Sequence, residues 1–262
     1  AAAFKHLKDW PSAKNVLTGA DLEGRPELIP PAKPDLVISL GGDGTILCVA
    51  QALQQHQVPI VGVNMGKLGY LADFNPAELE SDFDRIISNP DLISHRMMLD
   101  VTIHEQTGKT KTGICLNDCV IRVGEPFRTV GVSVSIDNLP VTTILGDGLI
   151  IATPTGSTAH NMSCGGPIVQ PDVDAIVLTP LCPHSLTHRP VIVGPECKID
   201  ITLQRTGGGC AAILDGQAIH PLSSGSTLTL RKSKQTFQLV RNPRRKAWDL
   251  LVQKLKWGLP LT

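Results

Sequence analysis

Several things are scarce in this sequence, and each scarcity removes a class of protein. Net charge is absent: 24 Lys and Arg balance 24 Asp and Glu over 262 residues. Without an excess of either sign there is no long-range field to gather DNA, RNA or an anionic membrane, although a local site can still hold a nucleotide. Long apolar runs are missing too, since no stretch reaches the roughly 18 residues that a membrane helix needs. The opening AAAFKHLKDW is too short and too mixed in character for a signal peptide. Cysteine occurs seven times, an odd number scattered without CxxC spacing. That favours a reduced, cytoplasmic setting over a disulfide framework, or an organelle if a targeting segment once preceded residue 1.

Metal and hydrolase signatures are also lacking. His184 and His188 are four residues apart, but Pro183 and Pro190 bracket them and no HExxH pattern exists, so a structural or substrate-contacting role outweighs zinc. Cys115 and Cys119 have no CxxC partner and read as buried thiols. Ser157 follows Gly156 directly, and Ala159 stands where a nucleophile elbow needs glycine, which argues against a serine hydrolase. There is no internal repeat and no low-complexity tract. What remains is 42% apolar and 18% charged, an ordinary globular composition with enough length for one large or two medium domains.

The texture of the chain changes near residue 97. Residues 1–96 alternate in type, as an α/β layer does. A short helix is expected at 1–9, a short strand at 15–17 and a loop rich in Pro, Gly and Glu at 20–34. DLVISL (35–40) is a continuous apolar strand of the kind buried on both faces, followed by a helix at about 45–56 and a strand at 58–64. NPAELESDFDRIIS (75–88) carries helix-start signals: Asn75 as N-cap, Pro76 at the first position and acids in the first turns. Residues 97–243 instead show short β-branched runs at 99–104, 112–123, 129–136, 141–145, 149–153, 191–193, 198–203, 226–230 and 236–240. Turn signals separate them, which predicts a mostly antiparallel β domain. The long segment 154–190 has no such pattern, and a segment of that kind inside a compact domain is usually functional. Residues 244–262 read as a helix whose Ala247, Leu250, Leu251 and Leu255 pack back on the body, with Arg244, Arg245 and Lys246 on a solvated edge.

Chemistry concentrates in glycine-bearing loops. Strand 35–40 runs into Gly41-Gly42-Asp43-Gly44-Thr45 and then a helix. Glycines let a backbone approach a ligand, and the unsatisfied N–H groups at a helix start favour anions, so the loop suits phosphates. The spacing is neither GxGxxG nor GxxxxGK[ST]. Asp43 makes sense in a phosphate loop if it serves another group: the proton of a sugar hydroxyl, or a magnesium ion that bridges phosphates. A turn with Asp as a helix cap is the plainer alternative. NMGKLGYL (64–71) follows the next strand and holds Gly66 and Gly69 in a tight loop. GDGLIIATPTGSTAH (146–160) surrounds Asp147 with glycines and then clusters Thr153, Thr155, Ser157 and Thr158. So dense a set of hydroxyls offers many small donors and acceptors at close range.

Together these stretches resemble the NAD kinase family, in their order and spacing, over about residues 35–260. The shared features are GGDGT, an N-x-G-x-L-G-[FY]-L loop, DGLI-x-x-TPTGSTA followed by GGP, and the segments PLCPHSLTHRP (180–190) and LDGQ (214–217). GGDGT alone also occurs in lipid kinases and phosphofructokinases; the set is specific. The resemblance implies an α/β N-terminal layer plus an antiparallel β-sandwich-like C-terminal domain. The activity it implies is phosphoryl transfer from ATP, or another donor, to the 2′-hydroxyl of the adenosine ribose of NAD or NADH, with Mg2+ and a homodimer or homotetramer. Asp43 matches the catalytic aspartate, and Gly41, Gly42, Gly44 and Thr45 match the phosphate loop. The implied dinucleotide-binding residues are Asn64, Gly66, Leu68 and Gly69 in the second loop, then Asn117, Asp118 and Asp147. Thr155, Ser157, Thr158, Ala159, His160 and Ser163 complete that set. No metal cage made of protein alone is implied. The sequence departs from the pattern at Asp118, where Glu is usual, at His160, where Tyr is usual, and at Cys164, where Ala is usual. The departures at Asp118 and His160 keep open a nucleotide-binding sensor without turnover, and a lipid kinase of the wider superfamily, which shares GGDGT-like loops, is the further alternative.

Overall fold

The computed structural model describes residues 34–66, 69–246 and 248–256. The helix expected at 1–9, the strand at 15–17, the loop 20–34 up to residue 33, Leu68 and Ala247 lie outside the described residues. The chain divides into two compact units, Ala1–His95 with Gln238–Thr262, and Arg96–Phe237.

In the first unit, strand β1 (Val37–Gly41) leads into helix α1 (Asp43–Leu53), then strand β2 (Ile60–Asn64) and helix α2 (Pro76–Ser88). β1 and β2 are parallel, with Gly41 opposite Asn64, so their C-terminal ends lie side by side. Ligand loops in open α/β sheets leave from that edge. On the other side of β2, Leu239 pairs with Ile60, so all five residues of β2 are buried. α2 starts where the sequence predicts. The Asn75 side chain accepts from Glu78 N–H at 2.8 Å, and Glu78 accepts from Asn75 N–H at 3.0 Å, a reciprocal capping box with Pro76 at the first position. Leu79, Phe83 and Ile86 recur at helical spacing and pack with Val61, Val63, Phe74 and Val240.

The second unit is a sandwich of antiparallel sheets. Its strands are β3 (Ile93–His104, from Arg96 onward), β4 (Thr110–Cys115), β5 (Asp118–Val123), β6 (Val130–Ile136), β7 (Leu139–Gly146) and β8 (Gly148–Ala152). After helix α3 (His160–Ser163) come β9 (Ile176–Leu181), β10 (Val191–Val193), β11 (Ile199–Arg205), β12 (Cys210–Leu214), β13 (Ala218–Leu222) and β14 (Thr227–Val240, to Phe237 in this unit). One sheet runs β14-β11-β6-β7, with β3 beside β14 and β4 beside β3; the other runs β10-β9-β8-β5-β12-β13. Alternation fills the space between them. Cys119 and Ile121, Leu149 and Ile151, Ile199, Ile201 and Leu203 all point into one core, while Val120, Ile150 and Val177 point the other way. That second face is covered by the segment after β8, through Val169 and Ala175, which explains why β8 is buried along its whole length. The two-residue turn Asp137-Asn138, both at positive φ, closes the β6–β7 hairpin in the manner that right-handed strand twist favours.

Several elements differ from expectation. The run 112–123 is two strands, broken at Leu116-Asn117. The segment 154–190 contains β9, and β12–β13 form a hairpin that periodicity did not reveal. The C-terminal helix, α4 (Asp249–Leu255), is shorter than its apolar pattern suggests. Ahead of it Asn242 Oδ1 accepts the N–H of Arg244 at 3.0 Å, a local turn that competes with helix. Of the edge expected to be solvated, Arg244 and Lys246 are exposed, but Arg245 is largely buried, and both arginines are paired. They reach Asp82 at 2.7 Å and Asp73 at 2.9 Å respectively.

Candidate active site

In the first unit, Asp43 is the first residue of α1, two residues past the end of β1. Its carboxylate does not cap its own helix. It reaches across to the loop after β2 and accepts three backbone N–H groups: Tyr70 at 2.8 Å on Oδ2, Leu71 at 2.9 Å and Ala72 at 3.0 Å, both on Oδ1. The loop is shaped for this grip. Gly69 N–H donates to Ala72 O at 3.1 Å, and a Cβ at Gly69 would overlap Asp43 Oδ1. Upstream, Asn64 Oδ1 accepts Gly66 N–H at 2.5 Å. A carboxylate has about four acceptor positions; three are filled, and one on Oδ2 has no donor among the described residues. Gly42 and Gly44 face open space, so a ligand can approach the N–H groups of the first helical turn there. Thr45 is exposed at the same turn, and its side chain leaves no room for a Cβ on Gly41.

Titratable neighbours surround this loop. The hydroxyl of Tyr70 is buried with no hydrogen-bond partner among the described residues, and its phenol is pushed up by burial and by the charge of Asp43. Lys254 of α4 lies over the Tyr70 ring, 4.5 Å from its centre. Asp73 is raised to about 6 because burial outweighs the opposing pull of Arg245.

In the second unit a similar device appears where β4 breaks. The N–H groups of Leu116, Asn117 and Asp118 donate to the Asp215 carboxylate at 2.8, 2.7 and 3.0 Å, and Asp215 N–H returns a bond to Asp118 O at 2.9 Å. Sequence reasoning placed LDGQ in the family pattern but gave Asp215 no role. The same bend binds the hydroxyl-rich segment. Thr153 N–H donates to Asn117 O at 2.8 Å, Thr153 Oγ1 donates to Leu116 O at 2.5 Å, and Gly156 N–H donates to Thr153 Oγ1 at 3.1 Å. A Cβ at Gly156 would overlap Asn117 O, so this approach of two backbones requires glycine. Asp118 is 4% exposed, and burial plus the charge of Asp215 raise its carboxyl to about 7.

Residues 153–163 separate by environment. Ser157 is fully buried, with Oγ 2.6 Å from Pro154 O and accepting Val169 N–H at 3.0 Å. Asn161, which sequence reasoning did not single out, holds Ser157 O and Pro167 O through its amide and accepts Thr179 Oγ1 at 2.6 Å. Thr155 is also buried, but its hydroxyl has no partner among the described residues. Thr158 and Ala159 are half-buried, while His160 and Ser163 are exposed on the short α3. His160 Nε2 is 3.9 Å from Cys164 Sγ. Asp147 is exposed in the bend between β7 and β8, and its N–H donates to Leu181 O at 2.9 Å. Gly69–Ala72 and Asp43 therefore come together in the first unit; Asn117, Asp118 and the 153–158 segment come together in the second. No described group of three or more His, Cys, Asp or Glu is arranged to hold a metal ion, and no described helix is long and apolar enough to cross a membrane.

Comparison with known proteins accords with this arrangement. The family model of the ATP-NAD kinase N-terminal domain matches residues 6–91, and that of the C-terminal domain matches residues 116–242. The NAD kinase of Geotalea daltonii is 38% identical over 228 residues, which cover 87% of this chain and 80% of that protein. The NAD kinase of Heliobacterium modesticaldum is 33% identical over 97% of this chain and 93% of its own length. Among solved structures, an NAD kinase from Archaeoglobus fulgidus in complex with ATP superposes with a TM-score of 0.81 at 25% identity, covering 98% of this chain and 95% of that one. Yeast NADH kinase complexed with NADH gives a TM-score of 0.82 at 28% identity, covering 88% of this chain and 68% of that one.

Proposed function

The chain belongs to the NAD kinase family, and from that premise we propose that Asp43 accepts the proton of the 2′-hydroxyl as the adenosine ribose of NAD attacks the terminal phosphorus of ATP. The enzyme phosphorylates NAD to NADP. A bond forms between the ribose oxygen and phosphorus, the bond from phosphorus to the β–γ bridging oxygen breaks, and ADP leaves. Family membership sets aside the lipid-kinase and sensor alternatives.

The observation that carries the role of Asp43 is its single free acceptor position. Three amides fix the carboxylate and leave one lone pair on Oδ2 for a hydroxyl. Gly41, Gly42, Gly44 and Thr45 hold the donor phosphates on the first turn of α1, where the open space over Gly42 and Gly44 gives access. Asn117, Asp118, Thr155, Thr158 and Ala159 bind the dinucleotide, with the unpartnered Thr155 hydroxyl offered to it. His160, Ser163 and Asp147 present exposed polar groups to the same ligand, while Ser157, Asn64, Gly66 and Gly69 act by shaping the loops. A divalent cation such as Mg2+ would be held by the phosphates, leaving the open position of Asp43 to the ribose hydroxyl; it would neutralise charge on the transferring group.

The test is Asp43→Asn. kcat falls by at least about a thousandfold while NAD affinity, measured by calorimetry, changes less than about tenfold. Near-normal turnover would remove Asp43 from the reaction.

The assembly proposed is a homodimer or homotetramer. Support comes from exposed apolar side chains on edge strand β7 (Leu139, Val141, Leu145), on the segment bonded to it (Leu186) and on β10, an edge of the other sheet (Val191, Ile192). Light scattering of wild type and Val141→Lys checks it, with loss of the larger species expected in the variant. A reducing, cytoplasmic location is supported by seven cysteines that are all free thiols.

A further inference from the structure

Residues 242–245 (Asn-Pro-Arg-Arg) are not used by the reaction, yet they are tied closely to the loop that grips Asp43. Asn242 is buried, and its amide donates to Asp73 O at 2.9 Å and to Glu78 Oε2 at 3.0 Å. Arg245 forks across two carboxylates: NH1 to Asp73 Oδ1 at 2.9 Å, and NH2 to Glu78 at 3.0 and 3.1 Å. Neither side of this pairing is freely solvated, since the side chains of Arg245, Asp73 and Glu78 are 19%, 12% and 15% exposed. Planar guanidinium geometry matches such paired acceptors, which makes the contact directional as well as charged. Asp73 directly follows Ala72, whose N–H is one of the three that hold Asp43. The chain 69–73 is therefore fixed at one end by the Asp43 carboxylate and at the other by Arg245.

We propose that Arg245 is a positioning residue for phosphoryl transfer, acting through Asp73 to keep the amides of Tyr70, Leu71 and Ala72 on the Asp43 carboxylate. This rests on the reading that Asp43 serves the reaction. The charged and titratable groups facing Asp73 are Arg245, Glu78 and Asp43, with Asn242 bonded to its backbone. Burial raises the Asp73 carboxyl to about 6, and Arg245 is the group that opposes the rise. Protonation of Asp73 removes the charge that Arg245 grips, so the tie weakens as pH falls through about 6. Without the guanidinium that transition moves to higher pH.

The experiment compares Arg245→Met, Arg245→Lys and Asp73→Asn in the full-length enzyme with ATP and NAD. For Arg245→Met the expected result is a ten- to hundredfold fall in kcat, NAD affinity within about threefold of wild type, and an acid limb of the kcat profile displaced to higher pH. Arg245→Lys keeps the charge and recovers part of both changes. Asp73→Asn keeps an acceptor for Arg245 but cannot titrate, so the limb near pH 6 disappears; this variant remains informative if Arg245→Met fails to fold. Hydrogen exchange without substrates gives a readout independent of the role of Asp43. Amides of Tyr70, Leu71 and Ala72 exchange at least about tenfold faster in Arg245→Met. Unchanged kcat in Arg245→Met, or reduced kcat with an unmoved limb and no rescue by lysine, overturns the proposal. So does an acid limb that persists in Asp73→Asn, or unchanged exchange at those three amides. If exchange rises but Asp43→Asn turns over normally, the role of Asp43 fails instead.

Discussion

Each unit of the molecule contains an aspartate that gathers three consecutive backbone N–H groups, and the two differ in what is left over. Asp43 is half-exposed at the start of α1, and the amides it holds lie 27, 28 and 29 residues further along the chain. Asp215 is 5% exposed, sits at positive φ in the turn between β12 and β13, and holds amides 97 to 99 residues earlier. Hydrogen bonds to a charged acceptor contribute about 1.5–3 kcal/mol each, so either cluster can fix a loop that has no sheet or helix of its own. Beside Asp43 there is open space over Gly42 and Gly44. Beside Asp215 lies a second buried carboxyl, Asp118, whose ionisation Asp215 opposes. The same device thus leaves an acceptor position for the proposed role of Asp43 in one unit, and shapes a sealed bend in the other.

Breaking the sealed cluster should cost the fold most. Asp215→Ala leaves three buried amides without an acceptor, and a loss of at least about 3 kcal/mol in urea unfolding is expected. A change below 1 kcal/mol would mean that the cluster does not hold the bend. Gly69→Ala attacks the open cluster by sterics alone. Its methyl group collides with Asp43 Oδ1, so kcat should fall about tenfold or more while the melting temperature moves by only a few degrees. Wild-type kcat in this variant would show that the grip on Asp43 is looser than its geometry.

Asp118→Asn sharpens the comparison through pH. The Asp118 carboxyl is raised from 3.8 to about 7 in the fold. The native state therefore binds its proton more tightly than the unfolded chain, and the stability this gives is present below about pH 4 and lost as pH rises toward 7. The variant should flatten that decline, gaining about 1–2 kcal/mol over wild type at pH 8 in the absence of ligand. Parallel pH–stability curves for the two proteins would place the titration elsewhere.

Local signals carried the sequence reading furthest. Asn75 and Pro76 are adjacent, and the N-cap they predict is present, closed by Glu78 into a capping box. The GGDGT turn also declares itself, because strand, glycines and helix are contiguous. What that turn does not declare is where the Asp43 side chain goes, since its partners are fixed only when β1 and β2 pair. The break between β4 and β5 is illegible for a similar reason. Apolar residues run through 112–123, and it is Asp215, a distant residue, that draws three amides out of the strand pattern. β12 and β13, CAAIL and AIHPL, contain alanine, histidine and proline rather than β-branched runs, and their strand state comes from pairing with each other and with β5. The Arg244–Arg245 pair resembled a solvated edge because its acidic partners on and before α2 lie 162 to 172 residues away.

The account depends most on the open position of Asp43 meeting the ribose hydroxyl. The direct measurement is a binding cycle: NAD and 2′-deoxy-NAD, each titrated into wild type and Asp43→Asn in the presence of a non-hydrolysable ATP analogue. A hydrogen bond to a charged acceptor predicts that wild type prefers NAD by roughly ten- to a hundredfold, and that the preference shrinks below about threefold in Asp43→Asn. Equal discrimination by the two proteins would contradict it.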